Sequence, residues 1–255
     1  MEKLTIIKVG GQIVEEEASL LSLLTAFAKI KGYKILVHGG GRSATKIAKE
    51  LGIESKMVDG RRITDKDTLK VVTMVYAGLV NKNIVAKLQA IGVDAVGLTG
   101  ADMNIILSEK RPVKDIDYGY VGDVKEVGTE KLYTLLKHDI VPVLAPLTHD
   151  GKGNMLNTNA DTIASETAKA LASSFAVDLV YCFEKAGVLM DENDESSVIR
   201  EIDKERFEQL VKEGVIAGGM IPKLHNAFES IDAGVKNVII TKADNVASDS
   251  GTKVC

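Results

Sequence analysis

Lys8, Asp161 and Lys223 are the residues of this chain best suited to handling negatively charged groups. Lys8 sits inside the apolar run LTIIKV, directly before Gly10-Gly11. An ammonium group is costly to bury unpaired. Lys8 therefore reads either as an edge lysine that snorkels to solvent or as a cation facing phosphate, and the glycine pair favours the second. Lys223 follows Gly218-Gly219-Met220-Ile221-Pro222 at the start of a helical pattern. Cations belong by default at the opposite end of a helix, so an anionic partner is expected. Asn157, Asn159 and Asp161 alternate in NTNAD. Read as a turn, Asn159 is an N-cap; read as a site, Asp161 orients two lysines and Asn157 donates hydrogen bonds to a substrate. Arg62, in GRRIT, can grip a carboxylate through its planar fork or stand as a solvated charge, and Arg61 reads as the latter.

A second candidate is Gly39-Gly40-Gly41, between the apolar run 34–37 and a helical pattern with Ala44, Ile47, Ala48 and Leu51. A strand entering a helix through glycines presents unencumbered N–H groups to an anion at the positive end of the helix. No GxxxxGK[ST] loop occurs, which argues against a P-loop NTPase. GGGRSA does fit GxGxx(G/A), with Asp59 about 20 residues on where a ribose-binding acid would stand. A nicotinamide oxidoreductase is thus a rival reading. Against it, residues 56–58 make a thin second strand, and an earlier strand with its own glycine pair precedes the motif.

The elements that must position these residues alternate. Strands are expected over 4–9, 34–37, 95–98, 140–144, 179–183 and 238–241. Helices are expected over 18–30, 44–51, 64–79 (capped by Thr64), 83–91, 129–137 (capped by Thr129), 162–172, 203–212 and 220–231. Residues 103–127 break the alternation and read as an antiparallel hairpin, and 154–161 read as a polar turn. Helix–strand alternation implies an α/β fold with a mostly parallel sheet, whose ligands gather at the carboxyl ends of strands. Gly10-Gly11, residues 38–41, Asp102, residues 157–161 and Glu184 all follow expected strands. A soft boundary near residue 175 separates 1–175 from 176–255.

The 255 residues are 45% hydrophobic and 27% charged, with net charge −4, an ordinary globular composition. The charge offers no general affinity for nucleic acid or anionic membrane, so any anion affinity must be local. Cys182 and Cys255 are the two cysteines, which disfavours a disulfide framework or zinc site and suits a reducing cytoplasm. No signal-peptide pattern or membrane-length apolar run is visible.

Taken together, KVGG at 8–11, VHGGG at 37–41, DGRRIT at 59–64, NTNAD at 157–161, GGMIPK at 218–223 and SGTKV at 250–254 resemble the amino acid kinase family, specifically its N-acetyl-L-glutamate branch. The resemblance spans essentially the whole chain and implies an αβα sandwich around a mostly parallel central sheet. It implies an N-terminal lobe (1–175) for the acylated amino acid and dimerisation, and a C-terminal lobe (176–255) for ATP with its Mg²⁺. Under it, Lys8 and Lys223 are transition-state lysines positioned by Asp161. Gly40, Gly41, Arg62, Asn157 and Asn159 contact the acyl-amino acid. Gly10, Gly11, Glu184 and Gly187 lie on the phosphate and nucleotide side, and the protein itself supplies no metal ligands.

The implied reaction is ATP-dependent phosphorylation of a side-chain carboxylate. The acceptor is N-acetyl-L-glutamate or another N-acylglutamate such as N-succinyl-L-glutamate, for whose extra carboxylate Lys110, Arg111, Lys114 and Lys125 are candidate partners. The partners are small molecules, with no nucleic acid or membrane, in a cytoplasmic homodimer of the short, arginine-insensitive type. One departure stands out: where the family usually reads Ser/Thr-Asp/Asn-Val after the 179–183 strand, this chain has Phe183-Glu184-Lys185. A non-catalytic ligand sensor on the same fold is the alternative of another class.

Overall fold

The computed structural model describes residues 1–58, 60–248 and 250–255. Asp59, the acid in the rival dinucleotide reading, lies outside the described residues. The chain forms two compact units, Met1–Lys34 with Ala164–Cys255, and Ile35–Ile163. This division is discontinuous, whereas the sequence suggested one cut near 175. The first strand belongs with the C-terminal part because it pairs there.

In the first unit, the strand Lys3–Val9 runs parallel to Ala176–Phe183, with Lys8 opposite Tyr181 and Val9 opposite Cys182. Ala176–Phe183 runs parallel to Asn237–Lys242 on its other side. Leu4, Ile6, Ile7 and Val9 are each fully buried, which is why this strand reads as a continuous apolar run and not as an alternation. The local pattern predicts no strand beyond 241, but Thr252–Val254 adds an antiparallel strand to Asn237–Lys242, and Glu201–Ile202 pairs parallel to Thr252–Val254. Helices Glu17–Ala28, Lys204–Lys212 and Met220–Asp232 belong to this unit. Asp203 caps Lys204–Lys212, its carboxylate accepting from the Arg206 N–H at 2.7 Å.

In the second unit, the strand Tyr33–His38 (from Ile35 on) and Ala95–Leu98 flank Val141–Leu144, all parallel. The hairpin expected within 103–127 is present as Ile106–Lys110 against Gly122–Val127, with a register shift at Leu107/Ser108. It belongs to a four-stranded sheet with Leu147–His149 and Met155–Asn157. The last of these strands lies within the expected polar turn, because Asn and Asp favour turns whenever no partner strand is evident.

Two cap assignments change. Asp65, not Thr64, caps the helix Lys66–Val72, accepting from the Thr68 N–H at 2.8 Å. Gly128, not Thr129, is the cap of Thr129–Lys137. The single helix expected over 64–79 becomes Lys66–Val72 followed by a π-helical stretch, Thr73–Val80, and then Asn81–Ala90. Among the described residues, no helix is long and apolar enough to cross a membrane.

Candidate active site

The unit that holds the first strand contributes a cationic corner. Lys8 is 7% exposed, one residue from the carboxyl end of its strand. Its Nζ lies 5.0 Å from the centroid of the Phe183 ring. The Nζ of Lys223, from the first turn of Met220–Asp232, lies 3.9 Å from the same centroid. The ring's negative face offsets part of the desolvation of both ammonium groups. Two cations gathered on one ring repel each other, so the corner favours an anion that both can share.

Phe183 owes its position to register, ending the strand that pairs with Lys3–Val9, and it stacks on Tyr181 at 6.2 Å between centroids. Packing does not by itself require the glycine before this corner. A Cβ on Gly10 would stand in ordinary contact, 3.5 Å from the Cys182 carbonyl and 3.8 Å from Phe183. Gly11 opens the short helix Gly11–Glu15. Glu184 is exposed. Gly187 is buried, and a Cβ there would meet Thr252 Oγ1 at 2.7 Å and Val198 at 2.8 Å, so packing also calls for a glycine. Cys182, next to Phe183, is buried with its thiol pushed up to about 12 by that burial, and is inert as a nucleophile.

The second unit contains a cavity of about 210 Å³ lined by Gly39, Gly40, Gly41, Arg62, Tyr76, Arg111, Asn157 and Asn159, among others. It therefore brings together all five residues expected to contact the acyl-amino acid. Arg62 is 8% exposed. Its Nη1 donates to Ser55 Oγ at 2.7 Å, and its Nη2 donates to the Gly41 carbonyl and to Thr45 Oγ1, each at 2.8 Å. The guanidinium thus braces the glycine loop from below. Asn157 Nδ2 donates to Thr64 Oγ1 at 2.9 Å, which fixes the amide. Asn159 Oδ1 accepts from the N–H groups of Asp161 (2.7 Å) and Thr162 (3.3 Å), so its N-cap role is real and coexists with its place on the wall. Asp161 is the second residue of Ala160–Leu171, where a carboxylate complements the helix dipole.

Two wall residues, Tyr76 and Pro146, carry no expectation from the sequence, and a third, Arg111, is one of the four candidate partners for a succinyl carboxylate. Tyr76, from the π stretch, packs so closely that a Cβ on Gly40 would lie 2.8 Å from its ring. Burial pushes the Tyr76 hydroxyl upward, and the Arg62 guanidinium beside it offsets part of that. Pro146 closes another edge. Arg111 is held by Asp123 through two guanidinium nitrogens, and its Nη1 is buried with no hydrogen-bond partner among the described residues. No long-range pattern in the sequence announces Tyr76, because it reads as one more apolar position on a helix.

The dinucleotide reading fails on topology. Met57–Val58 is a two-residue strand paired antiparallel with Arg61–Arg62, not the parallel second strand that the fingerprint needs. Among the described residues, no group of three or more His, Cys, Asp or Glu side chains could cage a metal ion.

The family model for the amino acid kinase family matches residues 3–242. A Bacteroides thetaiotaomicron protein named acetylglutamate kinase is 70% identical over 253 residues, covering 99% of this chain and 98% of its own. A Parabacteroides distasonis protein of the same name is 68% identical and covers 100% of both chains. Among solved structures, the smu.665 protein of Streptococcus mutans superposes with a TM-score of 0.81 at 31% identity, over 98% of each chain. With that match over nearly its full length, and with two α/β units that carry the expected glycine loops and lysines, the chain belongs to the amino acid kinase family.

Proposed function

We propose that this chain phosphorylates the side-chain carboxylate of N-acetyl-L-glutamate with ATP, giving N-acetyl-L-glutamyl 5-phosphate and ADP in arginine biosynthesis. The observation that carries this reading is full-length identity of about 70% to a protein named acetylglutamate kinase. The site chemistry agrees with it. A carboxylate with a pKa near ~4.3 is already ionised at neutral pH, so the attacking oxygen needs no general base. The new P–O bond forms as the bond from the γ-phosphorus to the ADP oxygen breaks, and no proton is transferred.

The difficulty is electrostatic, since an anion must approach a polyanion. Lys8 and Lys223 offset that charge, with Asp161 as the acid that orients them. Positioning and charge stabilisation then supply the catalysis. Gly40, Gly41, Arg62, Asn157 and Asn159 hold the acyl-amino acid, while Gly10, Gly11, Glu184 and Gly187 serve the phosphates and nucleotide. Mg²⁺ carried by the ATP phosphates would supply part of the charge neutralisation there. In this reading the substrate-holding and dimer-forming residues lie mainly in the N-terminal lobe, and the enzyme works as a cytoplasmic homodimer. The paired lysines on Phe183 speak against a mere sensor, which has no use for a phosphoryl-stabilising corner.

One observation favours a second acceptor. Arg111 borders the cavity with its Nη1 unpartnered among the described residues. By contrast Lys125 pairs with Glu109 at 2.8 Å, Lys110 sits over Tyr120, and Lys114 lines a neighbouring cavity. A succinyl carboxylate would suit Arg111. Trapping the acyl phosphate with hydroxylamine, using N-acetyl-, N-succinyl- and free L-glutamate, decides between them. We expect product with N-acetyl-L-glutamate and none with the free amino acid. A stronger signal with the succinyl compound would reassign the acyl group, and no product with any of the three would end the kinase reading.

Gly40→Ala is expected to reduce kcat/KM for the acyl substrate about a hundredfold. The new methyl group would collide with the ring of Tyr76, which is 5% exposed and hemmed in. Steady-state kinetics beside a thermal melt would check this, since a drop in Tm with unchanged kcat/KM would show that the loop tolerates the shift.

A further inference from the structure

His38 ends the strand Tyr33–His38 immediately before the glycine loop, and it is fully buried. Its Nδ1 lies 2.7 Å from the Gly39 carbonyl oxygen. Its Nε2 lies 3.0 Å from Asn81 Nδ2, and that same amide nitrogen donates to the Val143 carbonyl at 2.9 Å. A carbonyl can only accept, so Val143 fixes which way the Asn81 amide faces. The second amide hydrogen of Asn81 then goes to His38 Nε2, which must be the unprotonated nitrogen. The ring proton is therefore on Nδ1 and is donated to Gly39. Burial holds the imidazole well below its ordinary value, at about 4, with Lys82 adding to the effect, so the ring stays neutral around neutral pH.

This chain of donors ends on a peptide that most needs fixing. The Gly39–Gly40 bond has glycine on both sides, so no Cβ opposes a flip of its plane. Were it to flip, a carbonyl oxygen would replace an N–H. As placed, the trans peptide directs the Gly40 N–H away from the imidazole. Asn81 stands directly after the π stretch Thr73–Val80, the same stretch that lays Tyr76 against Gly40. A local π register is a common device at functional sites, and here it serves both residues.

We propose that His38 and Asn81 are positioning residues that lock the Gly39–Gly40 peptide with its N–H turned to the cavity, where it binds the anionic acyl-amino acid. This rests on the reading of residues 39–41 as the acyl-substrate loop. His38→Leu removes the lock, whereas His38→Asn keeps an amide nitrogen near the Nδ1 position and so keeps the bond to Gly39. In the full-length enzyme we expect His38→Leu to raise the KM for N-acetyl-L-glutamate about tenfold with the KM for ATP within twofold, and His38→Asn to recover most of the loss. An unchanged acyl-substrate KM in folded His38→Leu, or a parallel rise in both KM values, would overturn the proposal.

If His38→Leu does not fold, Asn81→Ala takes its place, with the same selective rise expected. Independently, two-bond ¹H–¹⁵N spectra of the wild-type histidines, with His38 assigned from His38→Asn, should show the neutral Nδ1–H tautomer between about pH 6 and 8. The Nε2–H tautomer, or a ring titrating in that range, would refute it. The spectra need no turnover, so a mistaken acceptor would appear instead as an inactive wild type with the tautomer intact.

Discussion

Lys8→Ala is expected to lower kcat by at least about a hundredfold while leaving the KM for the acyl substrate within a few-fold. The asymmetry follows from where charge develops. Lys8 is 7% exposed, and its ammonium is gathered with that of Lys223 on the ring of Phe183. A buried, preorganised cation matters most when the transferring phosphoryl group carries its greatest exposed charge, and little when the acceptor merely sits in its own cavity. Steady-state and single-turnover kinetics would separate the two effects. A change in KM alone would move Lys8 out of the phosphoryl-transfer role. Phe183→Leu offers a control on the same corner, because it keeps both lysines but removes the ring that draws them together.

Arg62→Ala should act on the other side of the reaction, raising the KM for the acyl substrate by about a hundredfold, with a smaller loss in kcat. The guanidinium holds the Gly41 carbonyl, Thr45 and Ser55 within 2.8 Å each, so its removal costs the brace under the glycine loop and, in the proposed reading, a contact to the substrate carboxylate. Arg62→Lys tests which matters more. A lysine supplies charge but not the planar fork that reaches three oxygens at once. If lysine restores the wild-type KM, charge alone suffices and the bracing geometry is unimportant. An ATP KM that rises in step with the acyl-substrate KM would show that Arg62 does not discriminate between the two substrates.

Much of this was legible in the chain itself. The buried strands announced themselves as continuous apolar runs, as in residues 4–9, because parallel strands covered on both faces have no polar side to show. Lys8, Gly10 and Gly11, and the loop 39–41, were found because each interrupts or ends such a run with a residue that packing alone does not want there. Other features had no such local mark. The strand Met155–Asn157 looks like a turn until Leu147–His149 pairs with it, and Thr64 looked like a cap until Asp65 took the Thr68 N–H. Phe183 stood out only as a departure from a family pattern, with no hint that two lysines would meet on it.

What the sequence by itself determined is the inventory: an alternating α/β chain, the cations and glycines that ligand chemistry needs, and their place just after strands. Those follow from local rules, namely side-chain period, backbone freedom at glycine, and the cost of burying charge. Only the tertiary structure decided the partnerships. It joined residues 1–34 to the C-terminal unit, turned Arg62 into a brace for Gly41, and tied Val143, Asn81, His38 and Gly39 into one line of hydrogen bonds. The physical reason is that a hydrogen bond's donor and acceptor need only meet in space. Asn81 and His38 are 43 residues apart in the chain, and no local pattern records a contact made by register between elements that far apart.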